Sequence, residues 1–234
     1  MVRALDAPTR PLPRAAGFRW NWTPRPNSAR WRWCRVYHRG AHTPDGMTFR
    51  RFGPLHRFDH HHEANPPQLD PDGRRVLYVG ADLATSASEV FGDAGIAAVC
   101  PRYRVSVVAP TAALPLFDLT KSGAAMAIGA LPSLADGHEA RALTQQWARA
   151  IFEDQPAGAA VRGVRYRTAH NFGYSIALWD SDDRVEVVRD STGRPQDHAL
   201  DRPALLGRLQ VEMRKRRISV TTVPESDCTL CRRG

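Results

Sequence analysis

No stretch of the sequence approaches the ~20 apolar residues that a membrane-spanning helix needs, which argues against an integral membrane protein. The opening residues, MVRALDAPTRPLPR, are polar and broken by proline, unlike a signal peptide, so a cytoplasmic protein is expected. Cysteine is sparse, at four in 234 residues, too few for a disulfide scaffold. Cys34 and Cys100 stand alone, and Cys228 and Cys231 form one CxxC. Structural zinc usually draws its four ligands from two such pairs, so no metal is expected and the thiols are read as incidental. The histidines His56 and His60 to His62 do not change this, because three adjacent side chains cannot all face one ion. GxGxxG and GxxxxGK[ST] are both missing, which excludes Rossmann and P-loop phosphate cradles. There are no internal repeats.

Lysine is nearly absent as well, with Lys121 and Lys215 the only two, so the net charge of +9 is carried by arginine. That charge is uneven. Residues 1–57 hold 12 Arg against Asp6 and Asp45, a local net of +10, which leaves the remainder at −1. Residues 1–30 also carry Pro8, Pro11, Pro13, Pro24 and Pro26 and show no apolar periodicity. They read as an extended basic arm, pinned at Trp20 and Trp22 and dispensable for chemistry. With Trp31 and Trp33, its aromatics and arginines suit stacking on bases and contacts with phosphates, so the arm predicts at least weak nucleic-acid contact, and one reading of the chain is a non-enzymatic nucleic-acid-binding protein that works through it.

The rest is ordinary globular sequence, 42% hydrophobic and 24% charged, enough to bury a core. WRWCRVY alternates and predicts a first strand. Residues 76–79 predict a short buried strand with Tyr78 on the same side as Val76. Asp82 is placed to cap a helix whose apolar stripe is Leu83, Ala87, Val90 and Phe91, ending at Gly92. Glu89 falls off that stripe, on the polar side with Thr85 and Ser86. Further strands are expected at 103–108, 114–119, 176–179, 185–188 and 218–223. Helices are expected at 139–153, with Leu143, Trp147, Ala150 and Ile151 inward, and at 204–216. Strands outnumber helices without strict alternation, which predicts an α+β fold with mixed or antiparallel sheets and flanking helices. The expected division is the arm at 1–30, one catalytic domain at 31–223, and a CxxC-bearing tail at 224–234.

The stretch HRFDHHHEANPPQLDPDGRRVLYVGADLATSASEVFGD places Arg57 before Phe58, Tyr78 late in a short strand, and Glu89 on the following helix. Upstream, Cys34-Arg35-Val36-Tyr37 forms an opening strand with another arginine. Downstream come LPLFDLT and GVRYRTAHNFGYSIALWD. In this order the blocks resemble the RES domain family, over roughly 31–223. The resemblance implies an ADP-ribosyltransferase-like fold and a toxin of a RES–Xre type toxin–antitoxin pair that degrades NAD. It also implies a cognate Xre-like antitoxin, often with a helix-turn-helix through which nucleic acid would be contacted. NAD would be substrate, with no cofactor. The family's serine has its counterpart at Tyr166-Arg167-Thr168, where threonine keeps the hydroxyl; Ser175 is a second candidate.

The chemistry of these residue types agrees with that implication. Breaking the nicotinamide–ribose bond passes through an oxocarbenium-like sugar, and a carboxylate beside the ribose stabilises it; Glu89 is the candidate. Arginine's fork suits a pyrophosphate, which points to Arg57 and Arg35. Tyr78 can stack on the nicotinamide ring, and Thr168 can supply a hydroxyl. The same residues would serve hydrolysis, phosphorolysis or protein ADP-ribosylation, which differ only in what attacks the ribose carbon. Asp118 is read as structural, capping a turn after a strand.

Overall fold

The computed structural model describes residues 4–24, 33–136, 139–158 and 160–233. In chain order the strands are β1 (Arg19–Trp22), β2 (Cys34–His38), β3 (Phe52–Gly53), β4 (Gln68–Leu69) and β5 (Val76–Gly80). They continue with β6 (Ile96–Val99), β7 (Tyr103–Pro110), β8 (Leu114–Asp118), β9 (Gly163–Arg167) and β10 (Tyr174–Trp179). The last are β11 (Val185–Val187), β12 (Asp197–Ala199) and β13 (Ser219–Thr222). The helices are α1 (Leu83–Phe91), α2 (Ala124–Ala127), α3 (Ser133–Asp136), α4 (Arg141–Asp154) and α5 (Pro203–Arg214). This is the mixed α+β class expected from the sequence. Two compact units form, each from three separate stretches of chain.

The first unit comprises Met1–Pro24, Phe49–Tyr78 and Pro110–Arg184. Its strands are mixed: β1 runs antiparallel to β8, β8 parallel to β9, and β9 antiparallel to β10, with β5 beside β10. Gly163 in β9 has φ +148°, and a Cβ there would meet the Ala177 carbonyl oxygen at 2.1 Å, so only glycine fits. The core joins Phe58, Val76, Phe117, Leu134, Ile151, Tyr166 and Trp179, with Tyr78 packed against its edge. Each large side chain taken fully out of water here contributes about 1.5–3 kcal/mol.

Residues 4–24 of the arm are part of this unit rather than a loose extension. Leu5, Ala15 and Trp22 are buried, Trp147 Nε1 donates to the Asp6 carbonyl at 2.9 Å, and Arg19–Trp22 is a strand. Proline spacing hid this, because the arm reaches the core through isolated residues and not through a periodic face. A chain beginning near Ser28 would leave the apolar surfaces under Leu5, Ala15 and Trp22 open to water, so the arm is not dispensable for the fold. Trp31 lies outside the described residues. Trp22 is buried, and the Trp20 ring already carries the Arg165 guanidinium at 4.6 Å. Neither is an open stacking platform for a base.

The second unit comprises Arg25–Thr48, Val79–Ala109 and Val185–Gly234. In it β2 and β12 both run antiparallel to β7, and β13 runs parallel to β6. Helix α1 starts as expected: Asp82, extended at φ −157°, accepts from Thr85 N at 2.7 Å. It packs on β2 and α5 through Leu83, Ala84, Ala87 and Phe91. Val90 does not join that stripe and is 42% exposed, whereas Thr85 and Ser86 are buried. The polar pair is turned inward because Ser86 Oγ accepts the Val36 N–H of β2 at 2.7 Å. Gly92 closes the helix in a right-handed conformation (φ −61°), and the left-handed turn comes at Gly95 (φ +66°).

Helix α4 begins two residues later than expected and buries Thr144 and Gln145 beside Trp147, Ala148 and Ile151. Gln145 is inward because its Nε2 donates to the His56 carbonyl at 3.0 Å. No helix among the described residues is long and apolar enough to cross a membrane.

Candidate active site

Residues of the expected site fall in both units. In the first, Arg57 and Tyr78 meet around one aromatic group. The Arg57 guanidinium lies over the Phe58 ring (4.9 Å) and the Tyr166 ring (5.6 Å), whose centroids are 4.6 Å apart. Its Nη2 donates to the Leu134 carbonyl of α3 at 3.2 Å. Stacking on two rings and anchoring one N–H fix the plane of the fork, as recognition of an anion requires.

Tyr78 is held by its hydroxyl. It donates to Asp59 Oδ1 at 2.7 Å and accepts from Phe58 N at 3.2 Å, while the His56 ring meets it edge-on at 5.6 Å. Burial, reinforced by the charge of Asp59, pushes the phenol well above its ordinary value, so Tyr78 stays protonated at any physiological pH. It can stack and position; it cannot serve as a base.

Asp59 is the residue the sequence reading missed. It is fully buried, yet its carboxylate receives Arg50 Nη2 at 2.7 and 2.6 Å, Leu55 N at 2.5 Å and His56 N at 2.9 Å, besides the Tyr78 hydroxyl. Burial alone would raise its pKa; the Arg50 charge and these donors outweigh that and hold it below 3.8. Its position directly after Arg57-Phe58 is the one signal in the sequence that pointed to it. The neighbouring histidines do not converge. His60 Nε2 pairs with Asp180 at 3.1 Å among the rings of Phe152 and Trp179, and His62 pairs with Asp70 and Asp72. Burial lowers His60 and His61, which leaves both neutral.

Thr168 is fully buried at the end of β9, its hydroxyl bonded to Asn171 Oδ1 in a short turn that Phe172 N closes on the Thr168 carbonyl. Ser175 on β10, opposite Tyr166, is also buried, and its Oγ has no partner among the described residues. Asp118 is structural as expected: it accepts from Thr120 N and Oγ1 and pairs with Arg165 at 3.1 Å.

In the second unit, Arg35 on β2 donates Nη1 to the carbonyls of Gly46 (3.2 Å) and Thr48 (2.8 Å), with Tyr37 under its guanidinium at 5.5 Å. That ties down the 46–48 turn. Glu89 is exposed on α1, away from the residues the helix buries. Gly80 lets this helix start close to β5, since a Cβ there would stand 2.6 Å from Ser86 N.

The first unit thus holds an oriented guanidinium and a locked neutral phenol, and the second, described by itself, an exposed carboxylate on a well-capped helix. No curated protein matches the chain. One chain of the crystal structure of the M. tuberculosis MbcT–MbcA toxin–antitoxin complex shares the fold, with a TM-score of 0.51 and 19% identity. That match covers 82% of this chain and 92% of the other. The family model described as the RES domain matches residues 29–201. A match over that span, most of the sequence and all of the residues above, decides the question: the chain belongs to the RES domain family.

Proposed function

We propose that this chain is a toxin-type enzyme that cleaves NAD at the nicotinamide–ribose bond. The observation that carries the reading is the RES domain match over 29–201. In the reaction the ribose C1′–nitrogen bond breaks and nicotinamide leaves with the electron pair. Water or phosphate then bonds to C1′ and gives up a proton to solvent. Glu89 stabilises the oxocarbenium-like sugar, Arg57 and Arg35 bind the pyrophosphate, and Tyr78 stacks on the nicotinamide. Protein ADP-ribosylation would use the same groups with a side-chain nucleophile in place of water. An enzyme of this kind needs restraint inside its own cell. The similarity to a chain from a toxin–antitoxin complex supports a protein antitoxin as partner. The family resemblance implies one of Xre-like type, and an acidic group presented to Arg57 or Arg35 in imitation of phosphate is the simplest means of inhibition. Expression without a partner should drain cellular NAD and arrest growth. Normal growth with steady NAD at high soluble expression would sink the reading.

Arg57→Ala should raise the NAD concentration for half-maximal rate by about 10–100-fold, since a hydrogen bond to a charged group contributes about 1.5–3 kcal/mol. A substrate titration reads this, with circular dichroism to confirm the fold. Unchanged kinetics would move the phosphate role to Arg35.

For the family's hydroxyl the reading favours Ser175 over Thr168. The Thr168 hydroxyl is spent on its turn, whereas an unsatisfied buried hydroxyl at Ser175 marks a group kept for another purpose. Ser175→Ala should lower kcat/KM by about 3–10-fold, the worth of one neutral hydrogen bond. Thr168→Val should instead lower the melting temperature, because it removes the hydroxyl that bonds Asn171 Oδ1 within the turn. The reverse pattern would return the role to Thr168.

A further inference from the structure

The single CxxC does not end in a loose tail. Strand β13 pairs with β6, and the segment after it folds back so that Cys228 and Cys231 meet Cys100 and His38. All four residues belong to the second unit, and the two tail cysteines lie beyond the span matched by the RES domain. Their ligand atoms lie within 4.8 Å of one another. His38 Nε2 is 3.2 Å from Cys231 Sγ, 3.5 Å from Cys100 Sγ and 3.7 Å from Cys228 Sγ, and Cys100 Sγ is 3.6 Å from Cys231 Sγ.

These are the edges of a metal tetrahedron. With Zn–S of about 2.3 Å and Zn–N of about 2.0–2.1 Å, tetrahedral sulfur–sulfur edges come to about 3.8 Å and sulfur–nitrogen edges to about 3.6 Å. A disulfide would need its sulfurs about 2.05 Å apart. Hydrogen bonding does not account for the cluster either. One imidazole nitrogen makes one such bond, yet three sulfurs surround His38 Nε2 within 3.7 Å. A cation at the centre satisfies all four at once.

Cys100 and Cys228 are buried, and Tyr103 covers the His38 ring edge-on at 5.1 Å. Outside the ligands, Arg102 Nε pairs with Glu225 at 2.8 Å, next to the tail turn.

We propose that His38, Cys100, Cys228 and Cys231 bind one zinc ion as a closed structural site that fastens the C-terminal segment to the second unit. Thiolate and imidazole donors select zinc over magnesium, calcium or manganese. Four protein ligands leave no open position, so the ion takes no part in the chemistry proposed for Glu89. Loading releases one proton from each thiol, and the binding free energy appears as folding stability.

The test is metal analysis of the full-length chain, purified without a metal-affinity step. About one zinc per chain is expected, and the same content in Glu89→Gln, whatever becomes of NAD consumption. Replacement by cobalt(II) should give thiolate-to-metal charge-transfer absorption and the intense visible bands of a tetrahedral site. Cys228→Ser with Cys231→Ser should lose the metal and lower the melting temperature, whereas His38→Cys should keep it as a four-sulfur site. Folded protein with substoichiometric zinc and no cobalt spectrum, after growth with added zinc, would overturn the proposal. So would a Cys228–Cys231 disulfide in the protein as isolated.

Discussion

Glu89→Gln should slow NAD consumption by about 10²–10³-fold, the usual cost of removing one preorganised electrostatic stabiliser from a transition state. The substitution removes a charge and almost no volume. Because Glu89 is exposed on α1 and the helix is held by Leu83, Ala84, Ala87 and Phe91, the melting temperature should stay at the parent value. The loss should appear in kcat more than in KM, since the carboxylate acts on a charge that exists only in the transition state. Parent-level turnover by Glu89→Gln would remove Glu89 from the mechanism. Loss of activity together with loss of folding would leave the residue structural.

Asp59→Ala should cost about 3–5 kcal/mol of stability, because it leaves the buried face of Arg50 without its carboxylate and frees the Tyr78 hydroxyl. Chemical denaturation reads that cost directly. Protein that remains folded should also turn over NAD more slowly, since the Tyr78 ring is no longer fixed. Asp59 touches no substrate in this account and is a positioning residue. Tyr78→Phe separates the two effects: it keeps the Arg50–Asp59 pair and removes the hydroxyl with its bonds to Asp59 and the Phe58 N–H.

Acid should act on the same group. The folded pKa of Asp59 lies below the ordinary 3.8, so its contribution is complete above that value and is lost as pH falls through the folded one. Buried neutral His60 and His61, lowered from 6.5, add a loss that begins earlier, as pH drops below 6.5. An Asp59→Ala protein as stable as its parent, with the same acid profile, would contradict this picture.

The strands near Tyr78, Tyr103 and Ile176, the Asp82 cap and the helix around Trp147 were legible, because periodicity and capping are local properties of sequence. The order of Arg57, Tyr78 and Glu89 was legible through family resemblance. What could not be read depends on contacts between distant residues. Asp59 looked like one more charge in a polar loop until Arg50 and Tyr78 closed on it. Ser86 looked solvent-facing because nothing nearby shows that the Val36 N–H needs an acceptor. The arm looked loose because its buried residues are single and far apart. The cluster behind the zinc proposal was hidden in the same way: His38 and Cys100 are 62 residues apart, and no spacing rule joins them to the CxxC.

The central claim is that the chain breaks the nicotinamide–ribose bond of NAD. Its most direct test is to incubate purified full-length protein with NAD, with and without phosphate, and identify the products by chromatography and mass spectrometry. The account predicts free nicotinamide in one-to-one amount with NAD lost. The remaining product should be ADP-ribose with water as acceptor, or its 1″-phosphate where phosphate attacks. Intact NAD after prolonged incubation with folded protein, in the presence of water, phosphate and protein acceptors alike, would contradict it.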